Sequence, residues 1–156
     1  SFDPNIREPL WKDMEDARAQ MAYGLSVCDI LKISDNEIQW FSGKEDYTEG
    51  IHMLQQTYQI PLILLSMGRD GSRAYYKDML VEVPAFLQKN TIETTGAGDT
   101  FGACCLHHIL KYGLDNLTKQ QLKEMLTFAN AAASIITTRK GALRVMPSLE
   151  EIQRLL

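Results

Sequence analysis

The chain is poor in the features that mark secreted, membrane-bound or nucleic-acid-binding proteins. Its three cysteines, Cys28, Cys104 and Cys105, sit inside apolar stretches. None forms a CxxC pair or a Cys/His spacing of a zinc site, so no structural metal is expected. The thiols read as buried and reduced. No apolar run reaches the roughly 18 residues of a membrane span, and no opening segment reads as a secretory leader. The cytoplasm is the expected compartment. Lysine and arginine are scattered, with no cluster longer than Arg139–Lys140, and the formal net charge is −4. A nucleic-acid or membrane-surface binder would show a basic patch instead.

What remains is an ordinary globular composition, 45% hydrophobic and 23% charged over 156 residues. That length fits one segment, residues 1–156, with a real core. Helices are predicted over Pro9–Tyr23 (stopped by Gly24), over a short stretch capped by Ser34 and ended by Gly43, and over Tyr47–Tyr58. Two more span the run after Gly98 to Tyr112 and Thr118 to about Thr137, and a last one is capped by Ser148. The long helix should bury Leu122, Met125, Leu126, Ala129, Ala132, Ala133 and Ile136. Val27–Ile33 and Leu62–Leu65 read as buried parallel strands, and Ser72–Tyr76 with Leu80–Pro84 as a hairpin around Lys77–Asp78. The class is α/β, with a mainly parallel sheet and one β-hairpin. Ser1-Phe2-Asp3-Pro4-Asn5 reads as a strand end running into a turn. A strand needs neighbours, so the chain is expected to be part of a larger protein.

Thr95-Gly96-Ala97-Gly98-Asp99 opens an apolar helix. Glycines let successive N–H groups face one concavity, and the helix adds about half a positive charge at its N-terminus. Together they suit a phosphate. No Gly-Lys-Ser/Thr is present, so this is not a Walker A loop. Asp99 has two readings, a capping residue or a base that takes the proton of an attacking hydroxyl. Ser66-Met67-Gly68-Arg69-Asp70-Gly71 follows a predicted central strand, where α/β folds place ligands, yet a plain strand-to-hairpin connection would also need such glycines. Ser34 to Glu37 has the spacing of a capping box. Asn130 is a polar residue on an Ala-rich face, either a satisfied core Asn or a ligand group. Arg7, after Asp3 and Asn5, either meets a phosphate bidentately or belongs to an ordinary turn. His52, His107 and His108 show no partner pattern and read as structural or exposed.

In order and spacing these pieces resemble the PfkB, or ribokinase-like, carbohydrate kinases. Glu93-Thr94-Thr95-Gly96-Ala97-Gly98-Asp99-Thr100-Phe101 is similar to the family's second signature. Ser1-Phe2-Asp3-Pro4-Asn5-Ile6-Arg7 with Leu10-Trp11 resembles bacterial fructokinases in particular. Leu31-Lys32-Ile33-Ser34 with Glu37, Ser66-x-Gly68-x-x-Gly71, and Thr137-Thr138-Arg139-Lys140-Gly141-Ala142 complete the match, which covers essentially the whole chain. The resemblance implies the C-terminal part of a three-layer α/β/α sandwich. The N-terminal half, with its Gly-Gly signature, most sugar contacts and a β-sheet lid, is the implied partner. Dimerisation through that lid is common in the family.

The resemblance also implies roles. Asp99 would deprotonate a sugar hydroxyl attacking the γ-phosphate of ATP, with the amides of Gly96, Ala97 and Gly98 stabilising the transferring phosphoryl group. Ser66, Gly68, Gly71 and Gly98 would border the nucleotide, and Asn130 would lie near the adenine. Glu37 would help organise Mg2+ through water, and Ser34, at a position that is Asn in many relatives, would be a further cofactor-binding position. A monovalent cation, K+ in many members, would be held at Glu93, Thr95, Ile136, Arg139, Gly141 and Val145, although Glu93 departs from the usual Asp. Fructose is the implied acceptor, with 2-keto-3-deoxygluconate or another sugar as an alternative. A non-catalytic nucleotide-binding module or an interaction piece are the other readings, and a module selected only for binding has no need of Asp99. The fragment alone is expected to be inactive.

Overall fold

In the computed structural model, which describes residues 1–156, ten regular elements follow the chain. They are α1 (Met14–Val27), β1 (Ile30–Ser34), α2 (Asp35–Ser42), α3 (Tyr47–Tyr58), β2 (Leu62–Ser66), β3 (Ser72–Tyr76), β4 (Met79–Val83), α4 (Ala97–Tyr112), α5 (Lys119–Ile136) and α6 (Leu149–Leu155). The strands run in the order β1-β2-β3-β4. β1 and β2 are parallel, with Leu31 opposite Ile63 and Ser34 opposite Ser66. β3 and β4 are joined by two residues, Lys77 and Asp78, which only an antiparallel pair allows; Lys77 takes a left-handed φ of 52°. The result is a mixed α/β sheet.

Two compact units divide the chain. The first holds residues 1–66 and Tyr75–Asp78, the second Met67–Ala74 and Met79–Leu156. In the first unit β2 carries Leu62 to Leu65, all essentially buried, as an apolar run flanked on both faces requires. Phe2 bridges Leu31 in parallel, its N–H donating to Ile30 O at 2.8 Å. The expected strand end at the opening of the chain is therefore paired.

The first predicted helix differs from the structure. Glu8–Leu10 forms only a 3-10 turn, Trp11 is extended, and α1 starts after Asp13, whose carboxylate accepts from Glu15 N. Gly24 does not stop α1. A Cβ there would stand 2.6 Å from the Phe2 ring, so this glycine admits an aromatic side chain rather than ending a helix. The helix runs on to Val27, and β1 accordingly begins at Ile30, later than Val27.

In the second unit α4 packs on α5, and α5 on β4 and α6. α5 buries Leu122, Met125, Leu126, Ala129, Ala132 and Ile136 as expected. Ala133 is only half-buried, however, while Asn130, Ala131 and Ser134 are buried. The buried face is thus wider than an apolar stripe alone suggests, because two polar residues on it have partners. No helix is long and apolar enough to cross a membrane.

Candidate active site

At the carboxyl ends of β1 and β2, Ser34 faces Ser66 in register. Ser34 caps α2, and a reciprocal capping box with Glu37 is formed as predicted. The Glu37 carboxylate accepts from Ser34 N (2.9 Å), from Ser34 Oγ (2.7 Å) and from the more distant Ile6 N (3.3 Å). It therefore ties the Asn5–Arg7 turn to the strand end. That turn holds Asn5 and Arg7 at φ of 46° and 50°, both left-handed without being glycine. Trp11 Nε1 fixes the other side by donating to Ile6 O at 2.7 Å. Asn5, Arg7, Ser34, Asn36, Glu37 and Trp40 line a hollow of ≈ 290 Å³. Beside it Lys32 Nζ meets Asp3 Oδ1 at 3.2 Å. Burial raises the Asp3 carboxyl above its ordinary value, and Lys32 offsets only part of that. No group of three or more His, Cys, Asp or Glu converges anywhere. A divalent ion here would depend on substrate phosphates and water for most of its ligands, as Mg2+ commonly does.

The glycine-rich turn lies in the second unit. Gly96, at φ 76°, is the N-cap of α4 and offers no side chain for capping. Ala97 N donates to Thr94 O at 3.1 Å and Thr100 N to Gly96 O at 2.9 Å. The amides of Gly98 and Asp99, between them, have no helical acceptor and are open to an anion. Asp99 is the third residue of the 16-residue helix α4, so the cap position is not its own. Its carboxylate is exposed and forms neither a hydrogen bond nor an ion pair. The fold makes no use of this group beyond its favourable place at a helix N-terminus.

Met67–Gly71 closes on itself, with Met67 N donating to Gly71 O at 2.9 Å. Gly68 and Gly71 both have positive φ, and a Cβ on Gly71 would lie 2.2 Å from Val83 O. The second glycine is thus required by the backbone of β4 itself. Asn130 is 7% exposed and makes three hydrogen bonds to protein. Its Oδ1 accepts from Ser72 Oγ at 2.9 Å, while its Nδ2 donates to Val83 O and to Pro84 O, each at 3.1 Å. It joins the start of β3, the end of β4 and α5.

The positions expected around a monovalent cation lie on the segment leading into α4 and on the end of α5 with the loop after it. Glu93 Oε1 accepts from Gly141 N at 2.6 Å. Arg139 Nη1 donates to Val145 O at 3.0 Å, and its other terminal nitrogen pairs with the Glu151 carboxylate. Arg139 N donates to Ile136 O. A Cβ on Gly96 would meet Ala142 at 3.1 Å and Ile136 at 3.3 Å, so this loop packs directly on the cap of α4.

Residues 1–149 match the pattern of the pfkB family carbohydrate kinases. The chain belongs to the PfkB family. Among curated PfkB relatives it is 36% identical over 155 residues to the fructokinase of Klebsiella pneumoniae, covering 99% of this chain and 50% of that one. It is 36% identical over 148 residues to probable fructokinase-2 of Arabidopsis thaliana, covering 95% and 45%. Among solved structures, a Vibrio cholerae O395 fructokinase in fructose, ADP and calcium ion bound form superposes with a TM-score of 0.88 at 28% identity, over 99% of this chain and 49% of that one. The fold is therefore ribokinase-like. The chain spans about half the length of the relatives it matches.

Three participants in this PfkB half escaped the sequence reading. Ser72, wholly buried, is the partner of Asn130, and nothing in its local pattern marks it. The Arg139 side chain acts as a tie across six residues to Val145, a contact that spacing alone does not reveal. Thr118 and Gln121 form a capping box, and that signal was present in the Thr-x-x-Gln spacing. His108 is structural, meeting Cys104 O at 3.0 Å and packing on the Phe128 ring.

Proposed function

We propose that the protein carrying this chain transfers the γ-phosphoryl group of ATP to a hydroxyl of a sugar, with fructose as the acceptor. The observation that carries the reading is Asp99: an exposed, unpartnered carboxylate in the first turn of α4, next to amides that no helical carbonyl satisfies. A carboxylate at the mouth of an anion site repels the ligand unless it has chemistry to do. Here it accepts the proton of the sugar hydroxyl as the O–P bond forms and the bond from the γ-phosphorus to the ADP oxygen breaks. The Gly98 amide, with those of Gly96 and Ala97, stabilises the charge that develops on the phosphoryl oxygens. Ala97's amide must first give up Thr94 O to take part.

We assign Ser66, Gly68, Gly71 and Gly98 to the border of the nucleotide and Asn130, which holds Val83 O and Pro84 O, to the neighbourhood of its adenine. Ser34 and Glu37 organise Mg2+ through water, the role that suits a carboxylate whose oxygens already hold three protein donors. Bound Mg2+ supplies neutralisation of phosphate charge. The three free cysteines suit a reducing compartment, and we assign the protein to the cytoplasm.

An ADP-release assay with fructose and ATP tests the reading. The full-length protein is expected to turn over, and residues 1–156 alone to give no rate above background. A full-length protein that binds fructose but transfers no phosphate to it would overturn the proposal. Turnover by residues 1–156 alone would overturn the need for the remainder of the protein.

A further inference from the structure

Ile6 is gripped by both of its backbone polar groups, and each partner is a side chain. Its N–H donates to Glu37 Oε1 at 3.3 Å, and its carbonyl accepts from Trp11 Nε1 at 2.7 Å. The residues on either side, Asn5 and Arg7, sit at φ of 46° and 50°. Asn adopts the left-handed region more readily than most residues, whereas Arg meets the full Cβ penalty there. One further tie, between Asp3 and Lys32 of β1, anchors the segment that leads into the turn.

The fold itself draws nothing from this strained backbone. Arg7 is exposed, and its side chain makes neither a cap hydrogen bond nor an ion pair. That is so even though Glu8 is its neighbour and Glu37 lines the same hollow of ≈ 290 Å³, together with Ser34. The result is a permanent, unpaired positive charge at the carboxyl end of β1. Strain kept at a residue the core does not need points to a functional position. A planar guanidinium suits phosphate oxygens. It lines the hollow beside the carboxylate assigned above to Mg2+, and in phosphoryl transfer that ion bridges the β- and γ-phosphates. The phosphate oxygens brought here are therefore those at the terminal end of the nucleotide.

We propose that Trp11 is a positioning residue for phosphoryl transfer. Its indole N–H, acting through Ile6 O, holds the left-handed turn that presents Arg7 to the terminal phosphate of ATP. Arg7 then offsets charge on the transferring group. Without the Trp11 bond, the backbone relaxes from the left-handed region and the guanidinium leaves the hollow. The rate measurements below rest on the kinase reading above, whereas the nucleotide-binding measurements do not.

In the full-length protein, Trp11→Phe keeps an aromatic ring and removes the donor. Its kcat with fructose is expected to fall about tenfold, with KM for fructose changed less than about twofold. Arg7→Met should lose about 10²-fold or more, and Arg7→Lys, which keeps the charge without the planar fork, should recover part of that. Because Trp11 acts through Arg7, adding Trp11→Phe to Arg7→Met should cost less than about twofold more. A further tenfold loss in the double variant would overturn the positioning role. Calorimetry with ATP and ADP gives the second readout. Arg7→Met should weaken ATP about fivefold or more relative to ADP, and Trp11→Phe should shift the ratio the same way. Equal changes for the two nucleotides would overturn the contact with the terminal phosphate. If the parent phosphorylates no sugar, the kinase reading fails by itself and the ATP-to-ADP ratio still decides this proposal. If Trp11→Phe does not fold, Arg7→Met decides, because a parental kcat and nucleotide ratio would leave Trp11 nothing to position.

Discussion

Replacing Asn130 by alanine should destabilise the protein. The side chain makes three buried hydrogen bonds, to Ser72 Oγ, Val83 O and Pro84 O, at 2.9, 3.1 and 3.1 Å. Each contributes about 1 kcal/mol net, and losing the partner of a buried group costs at least as much, so the expected loss is about 3 kcal/mol. The wholly buried Ser72 hydroxyl is left stranded, with no exposure through which water might take over. Ser72→Ala breaks one of the three bonds, for a cost of about 1 kcal/mol. Because the two residues share a bond, the double variant should be less destabilised than the sum by about 1 kcal/mol. Urea unfolding of the full-length protein and its variants, followed by far-UV circular dichroism, measures all four corners of the cycle. A loss below about 1 kcal/mol for Asn130→Ala, or strict additivity with Ser72→Ala, would refute the view that this amide stitches β3, β4 and α5 together.

Gly71→Ala should be worse tolerated than Gly68→Ala. Both positions have positive φ, but only at Gly71 would the Cβ meet backbone, 2.2 Å from Val83 O and 2.8 Å from Ala85 N. Thermal melts of the two variants compare them, and equal Tm values would contradict the steric account. The thiols should react in order of their burial. Burial pushes Cys104 up to about 11 and holds Cys105 well above its ordinary value, while Cys28 is raised as well. At pH 8 all three are thiols in the native state, so native alkylation by iodoacetamide should be slow and should accelerate only as pH rises past the ordinary thiol range. Rapid native labelling of Cys105 at pH 8, read by peptide mass spectrometry, would show that α4 opens.

Much of this fold was legible because its local signals agree with its tertiary contacts. α3 and the β3–β4 hairpin fall at or within a residue of their expected bounds, and Ser34 and Ser148 cap the helices that follow them. Where the reading failed, a distant residue had overruled the local rule. Gly24 looked like a stop and is instead the floor under Phe2, which lies 22 residues away in sequence. The Pro9 region looked helical, yet the Trp11 indole is drawn off to Ile6 O. The glycine turn was legible from its spacing, but the choice between a cap and a base at Asp99 was not. Only the backbone shows that Gly96 holds the cap position and leaves the carboxylate unused. Asn130 illustrates the converse. Its polarity on an Ala-rich face drew attention as a possible ligand group, and three of its hydrogen bonds go to Ser72, Val83 and Pro84, partners that no local pattern announces.

The central claim is that Asp99 is the base of a phosphoryl transfer. Asp99→Asn in the full-length protein tests it most directly, by measuring fructose-dependent ADP release alongside ATP binding. The account predicts a fall in kcat of about 10²-fold or more, with the nucleotide Kd within a few-fold of the parent. An Asp99→Asn variant that turns over as fast as the parent would contradict it.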